Sequence, residues 1–83
     1  KMKVFPSIVN DNTNITFSSD NTAPAKISLF DQGGRLVMKK DIAVQAGNNT
    51  VALTGLSQFS TGQYLVVVST DGHQYTQKIQ RSN

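Results

Sequence analysis

The chain has 83 residues, with eight Lys/Arg against five Asp, no Glu, a net charge of +3 and no cysteine. That length allows one domain with a modest core and no deep cleft, and the missing thiols exclude a disulfide framework and thiolate chemistry. The basic residues are scattered, only Lys39 and Lys40 being adjacent, which argues against nucleic acid as a partner, and no run nears the ~20 apolar residues of a membrane-spanning helix.

Asn, Ser, Thr, Gln, Gly and Val dominate, a balance that favours strands and turns over helices. Turn signals recur at 10–12, 18–24, 31–34, 45–49, 57–62 and 70–73. They delimit seven strands. The first, KVFPS, carries Pro6, which cannot donate to a ladder, so it belongs at a sheet edge. The second, NITFS, alternates Ile15 and Phe17 with polar residues. The third, KISLFD, sends Ile27 and Leu29 inward and Phe30 to the opposite face. The fourth, RLVMKKDIAV, sets Leu36, Met38 and Ile42 on one face, and Lys40 in the same phase implies a bulge near it. The fifth, NTVALT, directs Val51 and Leu53 one way. The sixth, QYLVVVST, is apolar on both faces and reads as central, with Tyr64, Val66 and Val68 in one row. The seventh, QYTQKIQ, is polar apart from Tyr75 and Ile79 and reads as a second edge. Such an edge at the C-terminal end suits capture of a partner by strand addition.

Seven short strands, frequent turns and no helical period predict an all-β fold, an immunoglobulin-like seven-stranded β-sandwich, as a single domain over 1–83. Asp71-Gly72 is the sharpest hairpin signal and Gly33-Gly34 the second. In the latter, Gly34 is expected in the left-handed region, with Arg35 opening the returning strand. Arg35 then has two readings. It pins the hairpin by pairing with Asp31 or Asp41, or it presents a rigid, exposed guanidinium to a partner.

Candidate chemistry is thin. His73, the one histidine, follows a turn and has no evident nucleophile beside it. One His and no Cys make a zinc site untenable. Asn10-Asp11-Asn12 with Asp20-Asn21 offers oxygen ligands for calcium but without the spacing or bidentate Glu of a calcium loop, and turn formation explains these residues more simply. Asp31, Asp41 and Asp71 fall at strand ends or turns, so no paired carboxylates across a cleft are expected. The tripeptides NIT at 14–16 and NNT at 48–50 match a glycosylation acceptor pattern that is frequent by accident in such sequence. No enzyme activity and no cofactor are expected.

Four segments in order carry a family resemblance. LFDQGGRLV resembles LYDxxGRxV, GNNTVALTGLS resembles GxNxxxLxxL, and TGQYLVVVSTDGHQYTQKI resembles GxYxVxVxTDGxxxTxKI. VFPSIVNDNTNITF is similar to VYPNPVNDxLxI, with Ser7 and Ile8 in place of Asn-Pro and Asn14 in place of an apolar residue. These are the signatures of the type A C-terminal sorting domains of the bacterial type IX secretion system, and the similarity spans about residues 4–81.

The resemblance implies that Asp31, Gly34, Arg35, Gly62, Tyr64, Asp71, Gly72, Lys78 and Ile79 form the sorting motifs. It also implies a domain at the end of a larger exported protein, whose N-terminal cargo enters the periplasm on its own signal peptide. The partners would be an outer-membrane translocon with its shuttle protein, then a sortase-like protease that removes the domain upstream of Lys1. The cargo would end at the cell surface or outside the cell. The domain itself would be a monomer or weak dimer, not membrane-embedded. The rival expectation is a small carbohydrate-binding or adhesive β-sandwich. Such a module needs an aromatic platform, and of the six aromatics only Phe30, Phe59 and Tyr75 are expected outside core-phase positions.

Overall fold

Alternation decides the layers. In Thr13–Ser19 the side chains of Thr13, Ile15 and Phe17 are buried while Asn14, Thr16 and Ser18 are exposed, so one face of the strand must be covered. A computed structural model describes residues 2–70 and 72–82. Among them are β1 (Met2–Phe5), β2 (Ile8–Val9), β3 (Thr13–Ser19), β4 (Ala23–Asp31), β5 (Leu36–Val44), β6 (Gly47–Leu53), β7 (Gly62–Thr70) and β8 (His73–Arg81). They form a three-stranded sheet, β1-β3-β6, and a five-stranded sheet, β2-β8-β7-β4-β5. The all-β sandwich expected from the sequence is the observed architecture.

The core lies between the sheets. Val4, Ile15, Phe17 and Leu53 from the smaller sheet meet Ile27, Leu29, Val66, Val68 and Ile79 from the larger. As expected, β7 is central and its row Tyr64, Val66, Val68 faces inward. At roughly 2 kcal/mol per fully buried aliphatic side chain, this row is a major stabilising element.

Five expectations are corrected. The strands number eight among the described residues, because Ile8–Val9 pairs with the end of β8 in parallel: Ile8 lies beside Gln80 and Val9 beside Arg81. A two-residue strand shows no period in sequence, yet Val9 is fully buried and Ile8 is 66% exposed. For the same reason the end of β8 is not an open edge. Gln80 N–H donates to Ser7 O and Ser82 N–H donates to Val9 O, both at 2.8 Å.

The bulge falls at Val37 rather than near Lys40. Leu29 pairs with Met38 but Phe30 pairs with Leu36, so the intervening Val37 is the extra residue. Val37 and Met38 both pack on the core, and Leu36 is turned to the outer face, half exposed. Lys40 keeps the inward phase opposite Ile27 but reaches out of the open side, its Nζ 3.5 Å from Ala52 O. Finally, Phe5 is 70% exposed on β1, with the Lys3 ammonium 5.9 Å from its ring centre. A single 3-10 turn, Leu56–Gln58, lies where a loop was expected and buries Leu56.

Candidate recognition surface

Asp31, the last residue of β4, organises the hairpin that joins it to β5. Its Oδ1 accepts the backbone N–H groups of Gly33 and Arg35, each at 2.9 Å, and its Oδ2 accepts the Arg35 Nε–H at 2.9 Å. The backbone closes the same loop: Gly34 N–H donates to Asp31 O at 3.0 Å, and Asp31 N–H donates to Arg35 O at 2.9 Å. Gly34 stands at φ +87°, a conformation that a side chain disfavours even though nothing would crowd a Cβ there.

The Arg35 backbone N–H is the main cause holding the Asp31 carboxyl below its ordinary range. The side-chain bond and charge of Arg35 and the Gly33 N–H add to this, and partial desolvation opposes it. Of the two readings of Arg35, both features are present together. It pairs with Asp31, not Asp41, and its side chain is still 84% exposed while that of Asp31 is 18% exposed. The bond engages Nε, so the outer nitrogens of the guanidinium face solvent on a tethered side chain.

Several of the motif residues share this end of the sandwich. Asp31 pairs with Tyr64 and Tyr64 with Ile79, so three strands contribute one cross-strand row. Tyr64 and Ile79 are buried. The Tyr64 hydroxyl donates to Ser60 O at 2.6 Å, and its ring lies 6.1 Å from that of Phe59. Gly62, at φ +146°, opens β7 opposite Arg81. Lys78 is exposed on the outer face, opposite Leu65. Gly72, at φ +78°, occupies the β7–β8 hairpin at the far end, about 20 Å along the strands. Asp71 lies outside the described residues.

Three further residues, Arg81, Gln77 and Asp11, fasten the other sheet-to-sheet contacts. Arg81, one of the scattered basic residues, is only 7% exposed. Its guanidinium donates to Leu56 O at 2.9 Å, Ser57 O at 3.1 Å and Ser82 O at 2.6 Å, fastening the 3-10 turn to the last strand. Its phase with Ile79 was the signal that could have found it. Gln77, in the same phase, uses its amide as a strand would: Oε1 accepts from Val4 N–H at 3.1 Å and Nε2 donates to Val4 O at 3.2 Å. Asp11 accepts the Ser57 N–H at 3.0 Å, and its carboxyl is held low mainly by that bond, with smaller help from the Ser57 side chain and the Arg81 charge against desolvation.

The calcium reading is not assembled, since Asp11 and Asp20 sit beyond opposite ends of β3. Among the described residues no three of His, Cys, Asp and Glu come close enough to hold a metal. His73 stacks on Tyr75, ring centres 6.3 Å apart, and Asp41 stands across from Lys26. The aromatics form no common platform. Phe5 is on the smaller sheet, Phe30 on the outer face of the larger, and Phe59 packs on the core.

No curated protein matches the chain. A family model does, over residues 3–81, and its description is a secretion system C-terminal sorting domain. With nearly the whole sandwich inside the match, from β1 to the end of β8, this chain belongs to the family of type IX secretion system C-terminal sorting domains.

Proposed function

We propose that the sandwich is the export address of a cargo protein fused to its N-terminal side. The cargo crosses the inner membrane on its own signal peptide, and the folded domain is then read in the periplasm by the outer-membrane translocon and its shuttle protein. A sortase-like protease afterwards cuts upstream of Lys1, leaving the cargo on the surface or free outside the cell. The family match over residues 3–81 carries this reading. The rigid hairpin that holds an exposed guanidinium supports Asp31, Gly34 and Arg35 as part of what is read. Lys78 belongs with them as an exposed cation on the neighbouring face, whereas Gly62, Tyr64, Gly72 and Ile79 act by fixing the fold that presents them.

The test is a fusion of residues 1–83 to the C-terminus of a periplasmic reporter in a bacterium that has this secretion system. Surface or extracellular reporter, lost when the translocon is deleted, is the expected result. Reporter retained in the periplasm of the intact strain, with the domain folded, overturns the reading.

A further inference from the structure

The outer face of the five-stranded sheet is more apolar than a solvent-facing surface needs. Cross-strand pairing aligns Leu36, Phe30 and Leu65 in one row from β5 to β7, ending at Lys78 on β8. The adjacent row is Lys39, Ser28, Val67 and Thr76. Leu36 is 50% exposed, Phe30 and Leu65 are half-buried, and none of the three belongs to the core. Val67, buried to 7% exposure, is the one buried apolar side chain among the described residues that also stands outside the core. Phe30, Leu65 and Val67 floor a groove of about 530 Å³ that opens between the Gln32–Gly34 turn and Lys78.

The charges around this floor are unbalanced in one direction. Arg35 is answered by Asp31, and Lys26 stands opposite Asp41 across the β4–β5 pair. Lys39 and Lys78 flank the apolar rows from opposite sides with no acid paired to either in register. From Gln63 to Val67 the groove follows β7 for about 13 Å, the length of some four extended residues. A second copy of this chain docked face to face would set these lysines against their own kind, which is unfavourable. The complementary occupant is acidic and apolar.

We infer that this face is a docking groove for an extended segment of a partner protein in which apolar side chains alternate with carboxylates. The apolar side chains lie over Phe30, Leu65 and Val67, with Leu36 extending the same row onto β5. The carboxylates leave the opposite side of the extended backbone and fold over its two edges to meet the long side chains of Lys39 and Lys78. The setting rests on the export reading, in which such a segment belongs to the machinery that receives the domain; the binding chemistry stands apart from it.

The probe is a capped synthetic heptapeptide of alternating glutamate and leucine, titrated into the isotopically labelled chain and followed by amide NMR shifts. The expected result is saturable binding with shifts centred on Phe30, Leu36, Leu65 and Val67, weakened about tenfold or more on raising the salt from low to high. Binding should fall by a similar factor in the double variant Lys39→Glu, Lys78→Glu, whose substitutions touch only exposed side chains and leave the melting temperature near that of the parent. Leu65→Thr should weaken it through the floor. No saturable shift at millimolar peptide, equal binding of a lysine-leucine counterpart, or shifts centred elsewhere overturns the inference. So does occupation of the face by self-association in sedimentation, or by vesicles of phosphatidylglycerol in preference to the peptide. Export of the reporter fusion separates the two proposals. Failure of the parent fusion strikes the export reading alone, and intact export by the double variant strikes the groove as a site the machinery uses.

Discussion

Asp31 and Arg35 hold each other twice, the backbone N–H of Arg35 on one carboxylate oxygen and its side-chain Nε on the other, both at 2.9 Å. The backbone bond shapes the turn, and the side-chain bond only aims an exposed group. These two roles can be separated by substitution. Arg35→Ala keeps the backbone bond and removes an exposed ion pair, so the melting temperature should move by no more than a few degrees. Export of a fused reporter should nevertheless fall. A large stability loss in this variant would make Arg35 a structural residue and remove it from the recognition surface.

The same carboxylate makes the hairpin sensitive to acid. Asp31 and Asp11 both have folded-state values below the ordinary one, so each binds its proton more readily in the unfolded chain. Their contribution to stability is therefore complete above the ordinary aspartate value of about 3.9 and is lost as pH falls through the lowered folded value. Asp31→Asn should be less stable than the parent at neutral pH, and the gap should close in acid. Melting curves from neutral to strongly acidic pH check this. A gap that stays constant, or widens, would show that the carboxylate charge is not what the turn uses.

The centre of β7 sets the scale for the core. Val66 is fully buried between the sheets, and Val66→Asp would place a carboxylate there with no partner. The expected loss is about 3–5 kcal/mol, read as a lower urea midpoint. Retention of parental stability would mean that the buried row of β7 is not the core it looks to be.

How far the sequence was legible follows from the range of the forces involved. The faces of β3, β4 and β7 were readable because a period of two leaves its mark within one strand. The Gly34 turn was readable because positive φ restricts the residue type. The bulge at Val37 was misplaced because bulges are set by the register against β4, which a single strand does not record. Phe5 was misread as core-phase: one position before Pro6, it follows the buried Val4 and so points outward. Arg81 and Gln77 were missed because composition marks them as surface residues. Their partners are backbone groups of Leu56 and Val4, 25 and 73 residues away, which bury Arg81 and half-bury Gln77.

Gln77 gives the fourth prediction. Its amide satisfies both backbone groups of Val4, and so ties β1 of one sheet to β8 of the other. Gln77→Leu preserves bulk but removes both bonds, leaving a partly buried N–H and C=O to find water. The loss should be about 1–3 kcal/mol in urea unfolding, with faster hydrogen exchange at Val4. Unchanged exchange at Val4 would mean that water replaces the amide at no cost.

Arg81 changes what a C-terminal truncation can report. If β8 were an open polar edge, removing Lys78 to Asn83 would cost only the Ile79 side chain. The observed strand instead supports β2 through Gln80 and Ser82 and the 3-10 turn through the Arg81 guanidinium. The truncated domain should therefore unfold, and loss of export in it would say nothing about recognition. Arg81→Met isolates the cause, because it keeps an apolar stem while removing the guanidinium bonds to Leu56 O and Ser57 O; Leu56 O keeps only the Phe59 N–H. It should lose about 2–4 kcal/mol, since bonds from a charged donor contribute more than neutral ones and the carbonyls are left without that donor. Lys78→Ala, at an exposed position on the same strand, should stay within about 0.5 kcal/mol of the parent. Urea denaturation of the two variants side by side decides the matter. If Arg81→Met proves as benign as Lys78→Ala, the guanidinium is not what closes this end of the sandwich.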